Sequence, residues 1–325
     1  MKILSGSEMW DAVTLNDVMD AIEDSYRIHK AGSYVMPDRF VASRDQNMML
    51  YMPCFLDRFI GTKMLAEFPD NPKRGLPYLN GLMVLNEAET GLPCAIMNGS
   101  VLTAMRTGAV GGVALRYLAP EAAASAGLVG CGMQGLHQLL YACAVRPIRH
   151  IYLFDGFNKN YAPFVEKLAA RLGRPEIQIH TCDTVEELAR QSDILISATQ
   201  ATDPVYPDDE ELLRGKCFVA IGSWRPERRE LPDAVSRLAA QIYTELPYAC
   251  EETGDLRIPL ESGLLPKEKV RYMEDLIEDT HNGRPHTQSE TRCFKSVGMG
   301  IFDARVAQLV YEKAMEKNIG YSMEW

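Results

Sequence analysis

The sequence predicts an α/β chain in which a doubly wound parallel sheet is attached to a separate α+β part. Three observations carry that expectation. From residue 124 onward, short apolar strands alternate with helix-like segments, the order that joins parallel strands through crossover helices. Residues 48–98 instead run as short apolar or alternating stretches broken by Pro and Gly, which is the chemistry of antiparallel strands and hairpins. Two further segments, at 100–118 and 299–317, carry small or helically spaced apolar residues that suit packed helices.

Taken in order, residues 1–30 carry a helix signal. Leu15-Asn16-Asp17 reads as a cap region, and Val18, Ile22, Tyr26 and Ile28 follow at roughly helical spacing. The runs MMLYMPCF, FIGTKML, YLNGLMVLN and CAIMN then read as strands, the last two joined by NEAETGLP with Gly91 and Pro93 in the turn. SVLTAMRTGAVGGVALRYL (100–118) is rich in small residues, so a helix here can approach a neighbour closely despite its glycines. AGLVG, HIYLFD, IQIH, DILISAT, CFVAIG and QIYTE are the strands of the alternating region, with helices near 161–172, 184–191 and 232–240. Ile301, Val306, Leu309, Val310 and Ala314 mark a closing helix.

Composition excludes several classes. A chain of 325 residues buries a large core and is expected to form two domains. The 34 Lys and Arg against 44 Asp and Glu leave a net charge of -10, which argues against a nucleic-acid partner or an anionic membrane. The eight cysteines are scattered without a C-x-x-C pair, and the six histidines show no H-x-x-x-H spacing. Small buried thiols in a reducing compartment are expected, and no metal site. The opening MKILSGSEMW has no apolar signal core, and no stretch approaches 18 apolar residues. The expectation is a cytoplasmic protein with no membrane partner.

The most informative motif is Gly130-Cys131-Gly132-Met133-Gln134-Gly135. It follows the apolar run Ala126 to Val129 and opens a helix-like segment; a second apolar run, Ile151 to Phe154, ends on Asp155. This is the glycine fingerprint of a Rossmann dinucleotide-binding unit, in its context of strand, turn, helix, strand and acid. Gly130 permits the tight turn, Gly132 lets backbone N–H groups approach a pyrophosphate, and Gly135 lets helix and strand pack closely. The pyrophosphate would rest on the helix N-terminus, and Asp155 on a ribose 2′-hydroxyl. A similar loop occurs in methyltransferases, but the strand context and the acid favour a nicotinamide or flavin dinucleotide. NAD is the expected cofactor, with NADP possible. Asp155 repels a 2′-phosphate, and Gly156, Phe157 and Asn158 bring no arginine, although Lys159 stands within reach of one. The expected organisation is a cofactor domain over 120–298, and a substrate and dimerisation domain from 1–119 completed by 299–325.

At this point five segments add up. PDRF (37–40), GTKMLAEFPDN (61–71), SVLTAMRTGAVGGVALRYLA (100–119), GCGMQG (130–135) and CFKSVGMGIFD (293–303) agree in order and spacing, and with them the chain resembles the ornithine cyclodeaminase/mu-crystallin family from end to end. The resemblance implies a homodimer whose N-terminal domain supplies an intersubunit sheet. It also implies hydride transfer between NAD(P) and the α-carbon of a small amino acid or its imine. By the same resemblance, Arg39 and Lys63 are substrate-carboxylate contacts; for the reduction of an imine, Lys63 is also available as the catalytic acid. Arg106 stands near cofactor and substrate, Met133 and Gln134 meet the pyrophosphate, and Asp155 the ribose. Thr199 and Ser296 are further cofactor contacts, Arg228 occupies the place of a cofactor-contacting Lys, and Val297 joins the substrate pocket. Chemistry gives an independent reason for the basic residues, since Arg binds a carboxylate through a planar fork and Lys as a point charge. Basic residues in half-polar strands are also often solvated or ion-paired, and that plainer reading stands beside this one.

One segment departs from the family. Where the family has G-x-D-x-P-G-K-x-E-L, with its Asp as general acid/base, this chain has IGSWRPERREL (221–231). Gly222, Pro226, Glu230 and Leu231 keep the frame, and Trp224 takes the place of the Asp. Ornithine cyclisation needs a base for the δ-amine, which an indole is not. The expected activity is therefore an NAD(P)-dependent ketimine or cyclic imine reductase, or an amino-acid dehydrogenase. Trp224, with Arg225 and Arg228 nearby, would shape the substrate pocket; alternatively it packs under the sheet edge. An ornithine cyclodeaminase forming proline, and a mu-crystallin-like protein that binds NAD(P) and a ligand with little turnover, are the alternatives.

Overall fold

The computed structural model describes residues 1–281 and 290–324. The chain divides into two compact units, Met1–Arg106 with Gly298–Trp325, and Thr107–Val297. The division falls inside the helix Gly99–Leu118, ahead of the boundary expected at its end.

The first unit is built on a seven-stranded sheet. Strands β1 (Lys2–Leu4), β2 (Phe40–Arg44), β3 (Asn47–Phe55), β4 (Phe59–Glu67), β5 (Leu79–Glu87) and β6 (Pro93–Asn98) are joined by a short strand near the chain's end, Tyr321–Ser322. The order is Tyr321–Ser322, β1, β6, β5, β4, β3, β2. From β2 to β6 each strand pairs antiparallel with the next, as hairpin chemistry requires. Along β4 burial alternates strictly from Phe59 to Glu67, so Lys63 shares the buried face with Gly61 and Leu65. That face receives the helix Gly300–Glu316. A Cβ on Gly61 would lie 2.8 Å from the Ala304 Cα, so the glycine is what admits the helix backbone.

The helix expected over residues 1–30 is interrupted. Lys2–Leu4 is a strand, and two helices follow, Gly6–Ala12 and Leu15–Ala31. The cap of the second is Thr14, one residue ahead of the expected cap region. Its hydroxyl accepts from the Asp17 N–H at 3.2 Å while the Asp17 carboxylate accepts from the Thr14 N–H at 2.8 Å, a reciprocal pair that satisfies two otherwise orphaned donors.

The second unit carries an eight-stranded sheet: β7 (Ser125–Val129), β8 (His150–Phe154), β9 (Gln178–Thr181), β10 (Ile194–Ser197), β11 (Cys217–Ala220), β12 (Ala239–Thr244), β13 (Val270–Tyr272) and β14 (Thr291–Lys295). Every pairing is parallel, in the order β13, β12, β14, β11, β10, β7, β8, β9. Sequence reading finds six of the eight strands and misses β13 and β14. The omission of β14 matters, because it lies near the middle of the sheet with all five residues buried. Arg292 and Lys295 break its apolar run. Their charges are met inside the fold: Arg292 donates to the Leu118 carbonyl at 2.6 Å, and the Lys295 ammonium lies 3.3 Å from the Asp255 carboxylate. The chain runs from β7 outward through β8 and β9, then returns to the other side of β7 with β10. Strand order therefore reverses at the ends of Val129 and Ser197, the crevice where sheets of this kind take ligands. Among the described residues no helix is long and apolar enough to cross a membrane.

Candidate active site

The glycine turn occupies this switch point, and its three glycines answer to different demands. Gly130 has φ +98°, and a Cβ there would lie 2.7 Å from the Ala198 carbonyl oxygen. A Cβ on Gly135 would run into the Gly130 carbonyl. Both are required by the fold itself. Gly132 differs, because no atom lies within 4 Å of where its Cβ would stand. It also caps the helix Met133–Val145 with no side chain on the first N–H groups. An open approach to bare helix N–H groups is what a pyrophosphate needs. Met133 is exposed, and the half-buried Gln134 keeps its Oε1 buried with no hydrogen-bond partner. The residues present thus fit a dinucleotide.

Asp155 stands directly after β8. Its carboxylate accepts backbone N–H bonds from Cys131, Phe157 and Asn158, each at 2.9 Å. Partial burial pushes its pKa up, but these N–H groups outweigh that and hold it below the usual carboxylate range. It is a fixed anion beside the glycine turn. The Lys159 ammonium sits over the Phe154 ring, 4.1 Å from its centroid. Across the switch point, the Thr199 N–H and hydroxyl both donate to Glu230 Oε1 at 2.7 Å. Ser296, after β14, donates its hydroxyl to Glu245, and the Val297 N–H donates to the same carboxylate at 3.0 Å. Arg228 reaches Gln200 Oε1 at 3.3 Å. Trp224 is half-buried in the loop after β11, with the Arg225 guanidinium 4.7 Å above its ring. In this unit the structure brings the glycine turn, Asp155 and Thr199 together.

The first unit holds the other candidates. The Lys63 ammonium donates to Asp303 Oδ2 at 2.6 Å, with both side chains 2% exposed. Arg106, expected among the cofactor contacts, belongs to this unit, and its Nε donates to the other oxygen, Asp303 Oδ1, at 3.0 Å. Gly298, at φ +81°, leaves room for that guanidinium: a Cβ there would lie 2.7 Å from it. Arg39 is half-buried, and its charge is felt at Lys63. Burial drives the Lys63 pKa down; Asp303 pulls it up, Arg106 and Arg39 push it down again, and the value settles at about 8. Lys63 and Arg106 thus share one carboxylate, and the Arg39 charge is felt beside them; these are the residue types that bind an incoming carboxylate. The lysine is mostly protonated at neutral pH yet gives up its proton readily. Cys54 is no nucleophile here, since burial and the Asp303 charge push its thiol up to about 12.

Asp303 is the residue that sequence reading missed. It closes the segment CFKSVGMGIFD, 240 residues from its lysine. One signal does mark it: Asp303 shares a helix face with the buried Ala307, Val310 and Ala314, and an acid in an apolar stripe asks for a partner. All eight cysteines are free, and among the described residues no cluster of His, Cys, Asp or Glu suits a metal ion.

Comparison with known proteins agrees with this layout. The model of the ornithine cyclodeaminase/mu-crystallin family matches residues 2–318. A Delta(1)-pyrroline-2-carboxylate reductase of Bacillus cereus is 30% identical over 333 aligned residues, which cover 100% of both chains. The Thermococcus litoralis Delta(1)-pyrroline-2-carboxylate reductase, solved in complex with NADH and L-proline, superposes with a TM-score of 0.89 at 32% identity, covering 99% of this chain and 100% of that one. An archaeal alanine dehydrogenase, solved as a dimer with bound NAD, gives 0.87 at 28% identity, covering 100% of this chain and 99% of that one. With a family model spanning nearly its whole length and relatives matched from end to end, the chain belongs to the ornithine cyclodeaminase/mu-crystallin family.

Proposed function

We propose that the chain is an NAD(H)-dependent imine reductase acting at the α-carbon of a small imino acid. In this reading the first unit binds the substrate and the second the dinucleotide. One observation carries it: a buried lysine, held by Asp303 at 2.6 Å and with its pKa drawn down to about 8, shares that carboxylate with Arg106 and feels the charge of Arg39. Arg39 and Arg106 hold the substrate carboxylate through planar forks, which fixes the α-carbon. The hydride for that carbon would come from NADH when bound. A neutral imine nitrogen takes its proton from the Lys63 ammonium, so the C=N bond becomes CH–NH and Lys63 is left as the free amine, to be reprotonated from solvent. An iminium needs no such proton, and Lys63 then acts as part of the clamp alone. Met133, Gln134 and the glycine turn hold the pyrophosphate, Asp155 the ribose, and Thr199, Ser296 and Arg228 the remaining cofactor contacts. Trp224 and Val297 border the substrate.

The B. cereus and T. litoralis reductases, at 30% and 32% identity over essentially full length, favour a cyclic imine such as Δ1-pyrroline-2-carboxylate. The alanine dehydrogenase likeness supports a second reading, reductive amination of a 2-oxo acid. Trp224 has no group able to move a proton from an amine, which argues against cyclodeaminase chemistry. The same alanine dehydrogenase was solved as a dimer, which supports a homodimer, and the eight free cysteines fit a reducing cytoplasm.

The test is loss of reduced-nicotinamide absorbance with Δ1-pyrroline-2-carboxylate, and separately with pyruvate plus ammonia. Rapid oxidation of NADH by the cyclic imine is expected. Lys63→Ala should lower it by roughly 10²-fold or more, the scale of a positioned acid. Ornithine plus NAD should give neither proline nor ammonia. Robust proline formation would restore the cyclodeaminase reading, and no NADH oxidation with any imino acid would leave a binding protein.

A further inference from the structure

Glu230 takes no part in the chemistry above, yet it is 0% exposed and ionisable. Its carboxylate collects three donors. Oε1 accepts from the Thr199 N–H and hydroxyl, both at 2.7 Å, and Oε2 accepts from the Gly222 N–H at 2.8 Å. Thr199 lies two residues past β10 and Gly222 two residues past β11, so one carboxylate ties the turns after two neighbouring strands. β10 borders the switch point, and β11 is its neighbour on the far side. The turns are also pressed together: a Cβ on Gly222 would collide with the Thr199 backbone.

Lys295 answers the charge. It is 0% exposed at the end of β14, the next strand over. Its ammonium lies 4.0 Å from Glu230 Oε2 and 3.3 Å from Asp255 Oδ2, and donates to the Ala220 carbonyl at 3.3 Å. Asp255 in turn accepts the Glu230 and Leu231 N–H groups at 2.7 and 2.8 Å. Burial pushes the Glu230 carboxyl up and Lys295 pulls it back; only the ionised form accepts all three donors without offering one of its own. A buried acid–base set of this kind is weak evidence for stability, since well-packed apolar groups would serve as well. It makes sense as a device for holding geometry.

We propose that Glu230 is a positioning residue for the dinucleotide: through Thr199 and Gly222 it fixes the ends of β10 and β11 against which the cofactor lies, with Lys295 as its internal counter-charge. The loop 221–231 that carries Trp224 is anchored by the same contacts. This inference rests on the reading that the switch point binds NADH, and the experiment separates the two.

NADH binding to the parent protein is measured first by fluorescence; no binding at all overturns the functional reading. With binding in hand, Glu230→Gln keeps the shape but turns an N–H donor toward the Gly222 N–H and removes the charge. The expected result is a Kd for NADH raised roughly tenfold, with a smaller rise in KM for the imino acid, whose carboxylate contacts Arg39, Lys63 and Arg106 lie in the other unit and which meets this one only at Trp224 and Val297. Thr199→Val removes the hydroxyl bond to Glu230 together with the one it accepts from the Ala201 N–H, and should weaken NADH in the same direction, with Thr199→Ser restoring it. In the double variant the two effects should fail to add, because they act through one contact. Should Glu230→Gln not fold, the Thr199→Val and Thr199→Ser pair decides alone. An unchanged Kd in Glu230→Gln, or in Thr199→Val where that pair decides, additive effects in the double variant, or equal loss of affinity for NADH and imino acid would overturn the proposal.

Discussion

Replacing Asp303 with Asn tests the acid role of Lys63 without touching the lysine. The carboxylate lies 2.6 Å from the ammonium and also holds Arg106 at 3.0 Å. Loss of an opposite charge at this range moves a partner by about 1–3 pKa units. A shift of ~2 units would take Lys63 from about 8 to about 6, each unit being ~1.36 kcal/mol. At pH 7.5 the protonated fraction would then fall from about three-quarters to about 3%, roughly 25-fold by the same relation. The assay is kcat/KM for a cyclic imine from pH 5.5 to 9 in parent and variant. The parent should lose activity as pH rises through about 8, and the variant about 2 units lower, so that the deficit narrows in acid. Breaking a buried pair also costs stability, of order 3–5 kcal/mol, so thermal melts must show that the variant is folded at the assay temperature. A folded variant that keeps its alkaline limb near pH 8 would refute the assignment of Asp303 and Lys63. Stability offers a second check. The folded lysine binds its proton less tightly than its usual value of 10.5, so between pH 8 and 10.5 the unfolded chain carries more protons there. The contribution of this group to stability should therefore rise across that window, visible as a denaturation midpoint.

The glycine turn gives a paired expectation. Gly132→Ala meets no atom and should leave the melting temperature nearly unchanged while raising Kd for NADH roughly tenfold, whereas Gly135→Ala collides with the Gly130 carbonyl and should lower stability by about 1–3 kcal/mol, as overpacking does. A Gly132→Ala protein with parental affinity would remove the pyrophosphate from this turn. NADH should be preferred to NADPH because Asp155 is an anion held by three N–H groups; steady-state kinetics with both cofactors checks this, and equal efficiencies would refute it. The first unit exposes Phe40, Val41 and Phe55 on or beside its outer strands, and exposed edges of this kind invite pairing. Sedimentation at micromolar concentration should therefore find a dimer, and a monomer would contradict the expectation.

What was legible in the sequence was local. The turn at 130–135 and Asp155 are read within 26 residues, because strand, glycine and helix signals adjoin one another. The hairpins of 48–98 announce themselves by Pro and Gly. β14 stayed hidden because Arg292 and Lys295 look like surface residues until Leu118, Asp255 and Glu230 are placed beside them. Asp303 was part of a recognised segment, but its role exists only once a helix from the end of the chain meets a strand near its start. The start of the helix Leu15–Ala31 was missed by one residue, since Leu15, Asn16 and Asp17 mask the Thr14 cap.

The first unit is assembled from both ends of the chain, and this has a consequence for its birth. Lys63 leaves the ribosome 240 residues before Asp303, a wait of roughly 12–50 s at about 5–20 residues per second. During that time the β4 ammonium has no carboxylate to meet it, the helix Gly300–Glu316 does not yet cover the sheet, and the strand Tyr321–Ser322 has not joined β1. The parallel sheet of Thr107–Val297 has all its strands before then. Folding in the cell should therefore run from the middle outward, the first-made residues being among the last to set. A nascent chain arrested before Gly300 should present a protease-sensitive N-terminal hundred residues beside a resistant central unit, and release of the last turn of synthesis should protect both together.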